Sequence, residues 1–394
     1  MTPFDSTATH RLDDVEQVRR DARKWLSEVD VPAVPLDLDE RFRVLRGWQR
    51  TLFDSGWMGL SWSPEAGGRG LTAAHQYVFS EELARAHAPA PIGLIGLDVV
   101  GPSIHAFGTL EQRARFLPPL LSGEEIWCQG FSEPGAGSDL ASLRTRADRD
   151  GDQYVVNGQK VWPSWGKQAS WCALLCRTDP EARPKHAGIS YLLVDMSSPG
   201  ITVRPIEQMT GDAEFCEVFF DEVRVPATSL LGEENEGWRI ALDTLSRERG
   251  NYTMRRMVEI GWMLDDAVAA LRAQPADRLS DRRITTAIGE SHVALQVLDA
   301  QTRRTVRRLL AATGPDPLDS IDKLVLNDAE QDVCRALAGL LGPFRLDSDA
   351  RPHGLNSAQI VHDHYYSRAA SIYGGTAQIQ RNIVAERLLG LPRG

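Results

Sequence analysis

Gln153-Tyr-Val-Val-Asn-Gly-Gln-Lys-Val-Trp162 is where the chain changes character. Its two arms, on either side of Asn157-Gly158, are strand-like in composition. Asn157-Gly158 between two such arms reads as a hairpin turn. Four more runs follow: Trp171 to Thr178, Gly188 to Met196, Gly200 to Ile206 and Cys216 to Pro226. Each is rich in Val, Ile, Leu, Phe or Tyr, and Gly and Pro punctuate them. Together they predict a compact antiparallel β-domain over residues 126–232.

On either side the period changes. Val15 to Val29, Arg41 to Ser55, Ala73 to His87 and Glu111 to Leu121 carry apolar residues at three- and four-residue steps, the spacing of one helix face. Gly67-Gly-Arg-Gly70 interrupts them and, following no strand, reads as a turn. Helical spacing returns at Glu236 and continues to Leu389, with interhelical loops at Gly314-Pro-Asp-Pro317 and Asp347 to Gly354. The expected fold is α+β: an N-terminal helical domain (1–125), a middle β-domain (126–232) and a C-terminal helical bundle (233–394).

A chain of 394 residues is long enough for several packed domains. Its net charge of −10 disfavours a nucleic-acid groove. No apolar run is long enough to span a bilayer, and residues 1–10 are polar with no secretory h-region, so a cytoplasmic protein is expected. The five cysteines form no CxxC pair, and Cys172 and Cys176 lie in a strand-like run with no second cluster; reduced, packed thiols are expected. His362 and His364 are two apart and do not share a helix face, so no metal is expected. Arg303, Arg304, Arg307 and Arg308 read as a solvated or subunit-facing stripe.

Three segments carry chemistry. Phe131-Ser-Glu-Pro-Gly-Ala-Gly-Ser-Asp139 joins glycines, which let backbone approach a ligand, to the hydroxyls of Ser132 and Ser138. Alone, such a loop is usually just a turn. Lys160-Val-Trp162 with Ser164 ends a strand in a large aromatic followed by a hydroxyl, which suits stacking on and bonding to a flat heterocycle. Ile372-Tyr-Gly-Gly-Thr-Ala-Gln-Ile-Gln380 opens a helix after two glycines, where free N–H groups and the Thr376 hydroxyl would suit an anion.

In this order, around an α-β-α layout, the three resemble the acyl-CoA dehydrogenase family. Its pattern is a Ser/Thr-Glu-Pro-Gly-Ala-Gly-Ser-Asp loop, a Lys-x-Trp-Ile-Ser/Thr strand and a Tyr-Glu/Gly-Gly-Thr helix start followed by Gln-Ile-Gln-Arg. The resemblance implies FAD as cofactor. It implies that Gln129, Phe131, Ser132, Gly137 and Ser138 line the flavin, with Ser138 also towards the substrate. Trp162 would cover one flavin face and Ser164 would bond near N5, while Gly375, Thr376 and Gln378 would hold the cofactor from the C-terminal domain.

Dehydrogenating an acyl thioester also needs a base for the α-proton while hydride leaves Cβ for flavin N5. Many members place a Glu directly before the Gly-Thr pair; here Gly374 stands there. Trp238, Ala241, Leu245, Glu248 and Tyr252 recur at helical steps, so Glu248 falls on an apolar stripe, where partial desolvation would raise its pKa. By periodicity alone, Glu248 reads first as an ion-pair partner for a nearby arginine and second as a base. Resemblance to the isovaleryl-type and long-chain-type members, whose base lies on this helix, turns the reading to a base. Arg249 then resembles the family's CoA-contacting arginine. The backbone N–H of Gly374 would polarise the substrate carbonyl, a donor of a kind worth about 3 kcal/mol.

Two family features are missing. There is no Arg-x-x-Phe-Gly segment, whose arginine reaches the FAD pyrophosphate of a neighbouring subunit; Arg278 and Arg283 are only nearby basic residues. Gly339-Leu-Leu-Gly342 replaces the Gly-Gly-x-Gly that meets the adenosine part. The resemblance therefore implies an acyl-CoA or acyl-carrier-protein substrate, an electron-transferring flavoprotein as partner, and a homotetramer or an α2β2 tetramer with a related chain. Alternatives on the same scaffold are a flavin monooxygenase or oxidase, or a subunit needing a partner chain. Bacterial relatives with the Ser-Ile-Tyr-Gly-Gly-Thr ending include enzymes for bulky steroid side-chain thioesters.

Overall fold

A computed structural model describes residues 6–273, 281–310 and 316–392; the side chains of 6–13, 246–251, 309–310 and 353 lie outside that description. Five α-helices precede the sheet: α1 (Ser6–Glu28), α2 (Leu38–Asp54), α3 (Ala73–Arg85), α4 (Gly101–Phe107) and α5 (Leu110–Ser122). Seven strands follow: β1 (Trp127–Gly130), β2 (Arg146–Asp150), β3 (Gln153–Ser164), β4 (Trp171–Arg177), β5 (Ile189–Asp195), β6 (Ile201–Ile206) and β7 (Phe215–Pro226). The described helices after the sheet are α6 (Gly237–Arg272), α7 (Arg282–Leu310), α8 (Asp319–Leu341), α9 (Ser357–Tyr366) and α10 (Ala377–Ile383). The expected α-β-α order is therefore present.

The chain forms two compact units. One comprises Met1–Val31, Thr72–Pro89 and Arg249–Gly394; the other comprises Pro32–Leu71 and Ala90–Glu248.

In the helical unit, α1 buries Val15, Val18, Ala22 and Leu26, a single stripe at helical spacing. Val15 meets Ala74 and Val78 of α3. Beside this seam Arg19 and Arg23 both reach the buried Glu82, each at 2.6 Å. A second core joins Ile260 and Leu264 of α6, Leu298 of α7 and Leu326, Val333 and Leu337 of α8.

In the sheet unit the strand order is β1-β4-β2-β3-β7-β6, with β5 on β4. Its core is made by Tyr154 and Val156 of β3, Cys172, Leu174 and Cys176 of β4, Leu192 and Val194 of β5 and Val218 of β7. Each set recurs every second residue, as one face of a strand must. All five cysteines are free and buried, four here and Cys334 in the helical unit.

Two expectations need correction. The sheet is mixed, because β1 runs parallel to β4, Trp127 opposite Trp171, and β2 meets β4 in a parallel pair at Arg146 and Arg177. Strands separated by such long connections are free to pair parallel, and local pattern does not show it. Asn157-Gly158 is not a hairpin turn; β3 runs through it, and the β2–β3 turn lies at Gly151-Asp152. Opposite Asn157, β7 carries one extra residue, Glu222, with φ +51°. The Asn157 amide donates to the Glu222 carboxylate (2.6 Å), and its oxygen accepts from Glu222 N (2.9 Å). Gly158 is required by crowding, since a Cβ there would stand 2.5 Å from Thr145 Oγ1. The dipeptide serves a bulge rather than a turn.

Candidate active site

The loop after β1 is held by a buried ion pair. Lys160 is fully buried and Glu133 is 8% exposed. Lys160 Nζ donates to the Phe131 carbonyl (2.9 Å) and to Glu133 Oε1 (2.8 Å). The carboxylate also accepts from Arg144 N (2.7 Å) and Thr145 N (2.8 Å). Burial pushes the Glu133 pKa up, but Lys160 and these hydrogen bonds outweigh it and hold the carboxyl below its usual range. Burial also lowers Lys160, with Glu133 opposing. The Ser132 carbonyl accepts from Val161 N (3.0 Å), and Glu133 and Ala136 exchange backbone hydrogen bonds. Residues 131–136 are thus fixed to β3, while Gly137 and Ser138 are exposed and Ser132 is half-buried.

β3 itself breaks rule at its end. Between Val161 and Ser164 it carries one extra residue relative to β7. Trp162 sits in that bulge with φ +73° and 57% of its surface exposed. A bulky side chain at positive φ is strained, and an exposed tryptophan gains little from burial. Trp165, also at positive φ, donates its N–H to the Glu214 carbonyl and packs its ring 5.6 Å from Phe42.

On β1, Gln129 Nε2 is buried with no hydrogen-bond partner among the described residues. An orphaned amide, two open glycines at positions 135 and 137, an exposed indole and the Ser132, Ser138 and Ser164 hydroxyls are the kinds of group that would suit a large, flat, hydrogen-bonding ligand. FAD meets that description.

In the helical unit, Gly374 and Gly375 have φ of +63° and +86°, which glycine adopts without strain. Gln380, fully buried, donates Nε2 to the carbonyls of Gly374 (3.0 Å) and Gly375 (3.2 Å). Its Oε1 lacks a partner among the described residues. The Thr376 hydroxyl accepts from Ile379 N (3.3 Å) as the cap of α10, so it retains its own proton to donate. Gln378 is exposed. Just before the turn, the Tyr373 hydroxyl is hydrogen-bonded to that of Tyr252 on α6.

Glu248 and Arg249 are helical residues of α6, but their side chains lie outside the described residues. The stripe on which Glu248 was placed is present before it: Ile240, Ala241 and Thr244 are all buried, and Trp238 and Leu245 are partly so.

Sequence reasoning assigned no role to Lys160, Glu133, Gln380 or the Tyr252–Tyr373 pair. The signal for Lys160 was available: it falls on the inward parity of Tyr154 and Val156, where a cation needs a partner. A groove of about 410 Å³ between α7 and α8 is lined by Arg283, Ser291, Asp332, Arg335 and Gly339 among others. It unites Arg283 with the first glycine of the Gly339–Gly342 segment. Among the described residues no cluster suits a metal ion, and no helix is long and apolar enough to cross a membrane.

The family models that match are those of acyl-CoA dehydrogenase: the N-terminal domain over residues 13–124, the middle domain over 128–223 and the C-terminal domain over 235–389. The chain is 40% identical to acyl-CoA dehydrogenase IpdE1 of Mycobacterium tuberculosis (strain ATCC 25618 / H37Rv) over 397 aligned positions, covering 97% of this chain and 99% of that protein. Among solved structures it resembles the Tcur3481-Tcur3483 steroid ACAD, with TM-score 0.85 and 30% identity over 97% of this chain and 98% of that one. It also resembles the ChsE4-ChsE5 complex from Mycobacterium tuberculosis, with TM-score 0.80 and 30% identity over 100% of both chains.

Proposed function

Because this chain belongs to the acyl-CoA dehydrogenase family and is an acyl-CoA dehydrogenase, we propose that it is FAD-dependent and converts an acyl-CoA to its 2-enoyl thioester with Glu248 as base. The observation that carries the cofactor reading is Trp162, a strained and exposed indole at a bulge beside the ion-paired loop. Gln129, Phe131, Ser132, Gly137, Ser138, Trp162 and Ser164 would hold FAD in the sheet unit, and Gly375, Thr376 and Gln378 in the helical unit. When bound, FAD supplies the hydride acceptor for the β-hydrogen.

The chain's own residues do the rest. Glu248 takes the α-proton, the role that its position on α6 and the family resemblance suggest for it. The N–H of Gly374 donates to the thioester carbonyl and makes that proton more acidic. Gln380 supports this role from the far side of the turn, since it holds the carbonyls of Gly374 and Gly375 and so limits how far the glycine pair can swing. Arg249 and Ser138 contact the substrate. A side chain at position 374 would occupy space beside the carbonyl, so glycine there favours a bulky acyl group, consistent with a structural relative described as a steroid ACAD.

The groove with Arg283 and Gly339 is suited to the adenosine diphosphate half of a neighbouring subunit's FAD, in a homotetramer or an α2β2 tetramer. The two-component names of the structural relatives favour α2β2. An electron-transferring flavoprotein would reoxidise the enzyme in the cytoplasm. The test is anaerobic titration of the yellow protein with a panel of acyl-CoAs. Bleaching of the flavin with formation of the 2-enoyl thioester is expected. A folded, FAD-loaded protein, with its partner chain if one is required, that no acyl-CoA reduces would overturn the reading.

A further inference from the structure

The Gly374-Gly375 turn has little stiffness of its own, since two glycines at positive φ can rotate with small penalty. Whatever direction its N–H points must be imposed by neighbours. Gln380 fixes the carbonyl side. The other side is fixed by a cluster around Tyr373.

The rings of Tyr252 and Tyr373 stand perpendicular, with centroids 5.9 Å apart, and their hydroxyls are hydrogen-bonded. Lys323 of α8 sits in the angle between them. Its Nζ lies 4.1 Å from the Tyr373 ring centroid and 5.5 Å from that of Tyr252. Only 3% of Lys323 is exposed. A desolvated ammonium is held against an aromatic face more strongly than an exposed one. Burial raises both phenols far above neutrality, so both keep their protons and the hydroxyl–hydroxyl bond persists at working pH. One turn further along α8, the Asn327 amide, oriented to satisfy both groups, donates to Ala370 O (2.6 Å) and Lys323 O (3.1 Å). The segment that leads to Tyr373 is thereby tied to α8.

We propose that Lys323 is a positioning residue for the dehydrogenation reaction: by gripping Tyr252 and Tyr373 together it fixes the Gly374 N–H against the turn of α6 that follows Glu248. This rests on the roles proposed for Gly374 and Glu248. Tyr252 is four residues after Glu248 on α6, and Tyr373 is adjacent to Gly374 in the chain. One cation therefore braces the supports of both the proton acceptor and the carbonyl donor.

The test uses Lys323→Met and Tyr373→Phe in the FAD-loaded protein, with its partner chain if one is required. Two readouts need no hydride transfer. The first is exchange of α-protons with deuterated water in a thioester whose β-carbon bears no hydrogen. The second is calorimetric affinity for that thioester relative to the S-alkyl-CoA thioether lacking the carbonyl. Exchange in Lys323→Met should fall roughly 10- to 100-fold, the scale of a misplacement of about 1 Å. Its preference for thioester over thioether should shrink, while thioether affinity, flavin content and melting temperature stay near wild type. If Lys323→Met does not fold, Tyr373→Phe, which removes one oxygen and keeps the ring, should show the same pattern. A folded variant with wild-type exchange and wild-type thioester preference overturns the positioning role. A wild-type enzyme that bleaches with no acyl-CoA fails earlier, at the proposed function, and overturns both.

Discussion

Lys160 Nζ lies 2.8 Å from Glu133 Oε1, inside the sheet unit, where both side chains are out of water. The lysine comes from the strand that carries Trp162, and the glutamate from the loop proposed to line the flavin. A buried pair of this kind is a modest source of stability, because desolvation consumes much of the attraction. Its effect is positional: it fixes the loop backbone to β3 through the Phe131 carbonyl and the N–H groups of Arg144 and Thr145.

Removing one partner is therefore worse than removing both. Lys160→Met should destabilise the protein by about 3–5 kcal/mol, the usual cost of an orphaned buried charge, and weaken FAD retention. The double variant Lys160→Met/Glu133→Gln should regain part of that stability without regaining tight flavin binding. Urea unfolding and flavin release measure the two effects separately.

The same pair sets an acid limit. The folded pKa of Glu133 lies below its unfolded value, so its contribution is fully present above about 4.3, the unfolded value. It is lost as pH falls through the folded pKa. Wild-type stability should fall more steeply below that point than the stability of Glu133→Gln. Parallel slopes in pH-dependent denaturant melts would show that Glu133 does not carry this loss.

Trp162→Asn should separate folding from cofactor binding. Asparagine tolerates the left-handed region, so relief at φ +73° offsets the modest loss of the Phe215 contact, whose ring centroid is 6.3 Å away. The flavin-free variant should melt within a few degrees of wild type, while its FAD affinity drops at least tenfold. A variant that binds FAD normally would remove Trp162 from the cofactor surface.

Glu248→Gln should leave FAD content nearly intact and slow flavin reduction by orders of magnitude, since shape is kept and basicity removed. Near-normal reduction in rapid mixing would return Glu248 to the ion-pair reading.

Moving the base is a harder test. Glu248→Gly should be nearly inactive, and adding Gly374→Glu should restore only a small part of the rate. Position 374 is at φ +63°, where a side chain costs about 1–2 kcal/mol, and the strain falls on the turn that presents the carbonyl donor. A double variant no faster than Glu248→Gly, though folded and FAD-loaded, would count against interchangeable bases.

Much of the architecture was legible because it is written in local period. The stripe Val15, Val18, Ala22, Leu26 and the alternation Cys172, Leu174, Cys176 each announce their element without reference to the rest of the chain. What was missed depends on partners. Asn157-Gly158 has the composition of a turn, and only Glu222, 65 residues away, makes it half of a bulge. The parallel register of Trp127 with Trp171 has no local signature either. At the proposed site, glycines and hydroxyls mark backbone that a ligand would be able to approach, but carry no sign of what holds that backbone still. Tyr252 and Tyr373 are 121 residues apart, and Lys323 lies between them in sequence with nothing to mark it. The side chain of Glu248 itself lies outside the described residues.

The interior placement of every thiol makes the protein its own clock. Burial pushes Cys176, Cys216 and Cys334 up to about 12, so in the closed structure these sulfurs hold almost no thiolate at neutral pH. A small alkylating reagent can then mark the chain only when a stretch opens, and the speed of marking counts the openings. Four of the sulfurs lie in the sheet unit and Cys334 in the helical one. The order in which peptides acquire the label, read by mass, would reveal which half of the molecule breathes first, and whether adding flavin quiets one half or both.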